Sequence, residues 1–172
     1  MPISRLLSIH ERLERHFAQH QELLLNRELD QARLVLVGYT RLIQLHMQHE
    51  EERLLPIYLR VEPPRRFPPQ LFTGQHQRMR ELLEGVNARL SALPRERDRL
   101  QARAIIELLD YERTYKHLVE HHDGAEQQAF FPALDRLASA AEQSSIAEEC
   151  LHEWNRLESE LALMSVSTAH ST

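Results

Sequence analysis

A single cysteine, Cys150, stands in the 172-residue chain, so an internal disulfide is impossible and a thiolate-rich zinc or iron–sulfur site is excluded. Glycine is scarce too, with only 4 residues where sheets built on tight turns need more. No apolar run approaches the roughly 20 residues of a membrane span. The opening MPISRLLSIHERLERHF carries charges every few residues instead of the apolar core of a signal peptide. Nor is there a one-signed basic stripe: acidic residues alternate with the arginines, the formal net charge is −5, and nucleic acid is not an expected partner. These absences lead to the expectation of a soluble, cytoplasmic protein that engages no membrane.

What is present is the composition of long helices, with Leu, Glu, Arg, Gln and Ala recurring throughout, in a length suited to one domain with a real core. The fold class expected is all-α. Apolar residues at helical spacing run through roughly 3–25, 29–58, 70–92 and 95–136, with a fifth, shorter segment near 145–164. Asn26 to Asp30 interrupts the first pair with turn-favouring residues, and prolines crowd PIYLRVEPPRRFPPQ between the second and third segments. Pro94 marks the turn into the fourth, and Ser145 with Glu148 resembles a capping box that opens the fifth. Short connections require antiparallel neighbours, which predicts an up-down-up-down antiparallel four-helix bundle over residues 1–138 with an additional C-terminal helix in 139–172. That tail either docks on the bundle, through residues such as Leu151 and Trp154, or serves a homodimer or a protein partner.

Histidine is the excess, at 11 residues. The pattern that organises it is an internal repeat: His46, Glu50 and Pro56 recur as His122, Glu126 and Pro132, offset by 76 residues. Tyr39 and Tyr115 precede the two histidines at equal distance, as do Leu42 and Leu118, and Leu54-Leu55 and Phe130-Phe131 precede the prolines. On a helix, residues four apart stand only about 40° from one another. Each His and Glu therefore share a face, and that face continues through Val35, Tyr39, Leu42 and Ile43 in one copy and Leu108, Tyr111, Tyr115 and Leu118 in the other. A glutamate buried without a partner is costly. Two of them aimed into one core call for a cation.

Residues at equal height on antiparallel neighbours lie equidistant from the connecting turn, which selects the remaining ligands. His10 matches His46 about the Asn26–Asp30 turn and centres the stripe of Ile3, Leu6, Leu13 and Phe17, with His20 as the fallback. His76, the only histidine of the third helix, matches His122. The expected metal ligands are thus His10, His46, Glu50, His76, His122 and Glu126. Imidazole with carboxylate suits iron, manganese or zinc and not calcium or magnesium. A pair of irons offers about twelve positions, so these residues leave room for a bridging oxo or hydroxo group and for an exogenous ligand. His16, His117, His152 and His170 read as ordinary polar residues. His49 and His121 read as neighbours of the ligands, Glu51 and Glu52 as a solvated face, Tyr39 and Tyr115 as core, and Cys150 as inert.

The pattern resembles the hemerythrin-like family, the HHE cation-binding domains, over roughly residues 3–137. The resemblance is carried by LSIHERLE with His10, LHMQHEEERLLP with His46 and Glu50, TGQHQRMRELL with His76, and EHHDGAEQQAFFP with His122 and Glu126. It implies two bridged iron ions at these positions and a non-catalytic protein that binds, senses or buffers dioxygen, nitric oxide or iron. The chain departs from the oxygen carriers at Arg80, where they hold a second third-helix histidine, and in using Glu126 four residues after its histidine where they use an Asp five on. Arginine cannot ligate a metal, so that position falls to water or another ligand. The alternatives are an oxygen- or peroxide-activating diiron enzyme and a metal-free helical interaction module.

Overall fold

A computed structural model describes the backbone of residues 1–169 and the side chains up to residue 164, so His170 lies outside the described residues. All regular structure among them is helical. A short 3-10 helix, Ile3–Leu7, runs into α1, Ser8–Leu25. Helix α2, Leu29–His49, continues through a widened turn at Glu50–Leu54 into α3, Leu55–Tyr58. After the proline-rich strap come α4, Pro69–Ser91, and α5, Arg99–Ala125, which continues through a second widened turn at Glu126–Phe130 into α6, Phe131–Leu137. Helix α7 spans Ala140–Ala169.

Both widened turns follow from the repeated prolines. Pro56 and Pro132 have no N–H for the carbonyl four residues back, and their rings crowd that carbonyl, so a regular α-turn cannot close there. The residue before each proline bonds five positions back instead: Leu55 N–H donates to the Glu50 carbonyl, and Phe131 N–H to the Glu126 carbonyl. Pro56 therefore lies inside a helical run that it deforms, within the 29–58 segment expected from the sequence. Such single π-turns cluster at functional sites, and here each begins at a glutamate of the repeat.

Helix boundaries follow local chemistry, with two corrections to the expected ones. The fourth run starts at Arg99 because the Asp98 side chain accepts from Gln101 N–H at 2.9 Å, which makes residues 94–98 the turn. The last helix starts one turn earlier than expected, at Ala140. Ser139 N–H donates to Glu142 at 2.8 Å while Ser139 Oγ accepts from Glu142 N–H at 3.3 Å, so the reciprocal capping box is Ser139/Glu142 and not Ser145/Glu148. Between α1 and α2 the chain reverses through Arg27, at φ 59°, with Glu28 N–H closing onto the Leu23 carbonyl at 2.9 Å.

Helix α1 packs along α2 and α4 along α5, while α2 also meets α4 and α1 meets α5. The core between them is apolar, centred on Leu13, Phe17, Leu36, Ile43, Met79, Leu83 and Leu108. Helix α7 lies on α2 and the N-terminal 3-10 turn, burying Ala147, Cys150 and Trp154 completely. Arg12 stacks 5.5 Å over the Trp154 ring and pairs with Glu158, and Arg53 pairs with Glu153 at 2.7 Å. No helix among the described residues is long and apolar enough to cross a membrane.

Candidate metal centre

Six side chains from four helical runs converge between the helices at the level of the two widened turns. His10 comes from α1, His46 from the last turns of α2, His76 from α4 and His122 from α5, while Glu50 and Glu126 open the widened turns. None is more than 8% exposed. The structure thus brings together all six residues that the sequence singled out. They form two groups that could hold a metal ion, His10 with His46 and His76 with His122, each completed by both Glu50 and Glu126; within a group the donor atoms all lie within 4.8 Å of one another.

The carboxylates are divided between the groups oxygen by oxygen. Glu50 presents Oε1 to His46 Nε2 at 3.1 Å and Oε2 to His76 Nε2 at 3.1 Å. Glu126 presents Oε2 to His10 Nε2 at 3.2 Å and Oε1 to His122 Nε2 at 3.0 Å. Neighbouring ligands on one ion with bonds of about 2.1 Å stand at such spacings. All four carboxylate oxygens are buried without a properly directed hydrogen bond, as are both nitrogens of His10. Burial of that kind without satisfaction costs about 1–3 kcal/mol per group, more when charged. The donor set therefore fits a cation, and the orphaned atoms are the ones a cation would satisfy.

Outer contacts fix the imidazoles. His76 Nδ1–H donates to Glu51 Oε1 at 2.8 Å, and Arg80 donates to that same oxygen at 2.9 Å. His122 Nδ1–H donates to Gln75 Oε1 at 3.1 Å. In the neutral ring a proton held on Nδ1 leaves the Nε2 lone pair facing inward, the tautomer a metal needs. Glu51, expected on a solvated face, is partly exposed yet turned to His76, and Arg80 acts through it on that ring.

Protons on the imidazoles offset the charge of the two glutamates. Burial disfavours the charged form of His10, but Glu126, Asp123 and Glu50 outweigh it and hold the ring's pKa up at about 8. For His122, burial is likewise outweighed by Glu126 and Glu50, which raise it to about 10. Burial pushes His46 down to about 3. Burial would raise both glutamates, yet the histidines around them hold Glu50 below the usual carboxylate range and Glu126 well below it.

Other polar residues take different places. The fallback ligand His20 is fully buried away from the cluster; its Nδ1–H donates to the Ala32 carbonyl at 2.9 Å and its Nε2 stands 3.0 Å from Glu112. His49 is buried under α7, 2.9 Å from Glu153. His117, His121 and His152 are exposed. Burial raises the Cys150 thiol to about 11, which keeps it protonated. Tyr39 and Tyr115 are buried, and their hydroxyls hydrogen-bond to each other at 2.7 Å. Beside them lies a cavity of about 170 Å³ between α1 and α5, which also reaches His10, His46, His122 and Asp123. Only about 10 Å³ is free on the Glu51 and His76 side, so the two groups have unequal surroundings. No family model matches the chain, and neither a curated protein nor a solved structure matches it.

Proposed function

We propose that the chain is a non-haem diiron-binding protein of hemerythrin-like type, an up-down-up-down antiparallel bundle of α1, α2, α4 and α5 with α7 as the additional helix. One observation carries the reading. Each buried carboxylate turns one oxygen to a His pair on one side and its second oxygen to the pair on the other, the disposition of two bridging ligands between neighbouring ions. Iron fits the mixed imidazole and carboxylate set, with manganese and zinc as chemical competitors. A metal-free interaction module would have to offset these carboxylates with protons on His10 and His122 alone and would leave their oxygens without directed hydrogen bonds.

When bound, such an ion pair supplies positions for a small exogenous ligand and redox chemistry at the metal. The chain's own residues account for selectivity of access. Glu51 and Arg80 close over His76, while His10, His46 and His122 line the cavity. A cytoplasmic protein that binds, senses or buffers dioxygen, nitric oxide or iron follows from that combination, with no reacting side chain required. An oxygen- or peroxide-activating enzyme is the second reading, favoured by the same cavity.

Purification from iron-replete cells, followed by metal quantitation and an absorption spectrum, tests the proposal. About two irons per chain with oxo-bridge charge-transfer bands are expected, and His46→Ala or His122→Ala should remove both. Metal content unchanged by either substitution would overturn the assignment.

A further inference from the structure

A diatomic ligand needs about the 30 Å³ that one water occupies in the liquid. The cavity between α1 and α5 holds about 170 Å³, several times more. Apolar cavities of about 150 Å³ in other proteins take up benzene. Leu13, Phe17, Ile43, Met47, Met79 and Val119 supply apolar walls here, and Ala18, Lys116 and Glu120 lie exposed at the rim, so the space opens to solvent along the α1–α5 seam.

Besides His10, His46, His122 and Asp123, the cavity has a second polar patch. Tyr39 and Tyr115 carry one hydroxyl proton each, and their mutual 2.7 Å bond uses one of the two. Neither hydroxyl has another hydrogen-bond partner among the described residues, so one O–H is left to seek an acceptor where both rings border the cavity. At the mouth, Glu14 and Glu120 are set against one Lys116, so the entrance gives anions no advantage. We infer that this cavity binds a small neutral organic molecule of about the size of a six-membered ring, whose single oxygen acceptor takes the spare tyrosine proton.

Binding rests on the cavity alone; only the placement of the molecule against a metal rests on the diiron reading. Calorimetric titration and ligand-observed NMR on the full chain, both as purified and after chelation, test it with cyclohexanone, cyclohexane and benzoate as probes. Cyclohexanone should bind about three- to tenfold more tightly than cyclohexane, the worth of one hydrogen bond, and benzoate least. Replacing both partners of the hydroxyl pair, Tyr39→Phe with Tyr115→Phe, preserves shape and leaves no orphaned group. It should abolish the preference while keeping cyclohexane bound. Ala18→Phe, on an exposed position of the rim, should block every probe without disturbing the core. The inference is overturned by a chelated chain that binds none of the probes, by equal affinity for ketone and hydrocarbon, or by binding undiminished in Ala18→Phe. A chain that binds cyclohexanone yet takes up no metal would overturn the diiron reading and leave this one standing.

Discussion

Glu51 shows how much of a candidate metal site lies outside its donor residues. Its carboxylate accepts from His76 Nδ1–H and from Arg80 at once, so an arginine that cannot ligate still holds the ring that can. Outer partners of this kind are worth about 10–100-fold in metal affinity. Glu51→Gln should therefore weaken metal binding by about that factor while leaving the fold intact, as a competition titration with a chelator would measure. Undiminished affinity would reduce Glu51 to a surface ion pair. Protons give a second handle. The raised histidines stabilise the metal-free fold below their unfolded value of 6.5, and that contribution is lost as pH rises through about 8 for His10 and about 10 for His122. A metal needs the same rings deprotonated. The gap between metal-loaded and metal-free melting temperatures should widen from pH 6.5 to pH 8.5; a constant gap would contradict the competition. The convergence of these six residues was legible in the sequence because His and Glu four apart share a helical face, and one repeat offset aligns two such faces. Glu51 was not legible, since its partner His76 lies 25 residues away on another helix and only packing brings them together.

The widened turns belong to the scale of the element. Pro56 and Pro132 deform their helices six residues after each glutamate, and a proline in a helix interior costs about 3 kcal/mol relative to alanine. A local cost of that kind, repeated at both copies of the motif, is retained where geometry serves the site. Pro56→Ala should let a regular turn close, stabilising the metal-free protein by about 1 kcal/mol while weakening metal binding. Thermal melts and metal titrations of the same variant check both halves. A variant less stable without metal, or one that binds it unchanged, would show that the turn does not serve the ligands. Helix extents were readable from apolar periodicity to within a few residues, because packing extends over many turns. The ends moved where a single side chain decided them: Asp98 delays α5, and Ser139 with Glu142 advances α7. The π-turn itself has no periodicity to read, as it lasts one turn and depends on a bond that proline cannot make.

Across the molecule, asymmetry is the feature with functional weight. Helix α7 covers one side through Trp154, Cys150 and the ion pairs of Arg12 and Arg53, and it buries His49 against Glu153. The sequence left docking open because the tail's apolar residues would serve a partner equally well. Along the α1–α5 seam lies the cavity, lined by His10, His46 and His122, while His76 is held by Glu51, which Arg80 also bonds. The cavity thus gives incoming molecules a route toward His10, His46 and His122, whereas His76 is shielded from it. The most direct test is anomalous diffraction at the iron edge from crystals of iron-loaded protein. Two peaks, one between His10 and His46 and one between His76 and His122, both flanked by Glu50 and Glu126, are the predicted result. An absence of peaks there, or one lying instead beside His20 and Glu112, would contradict it.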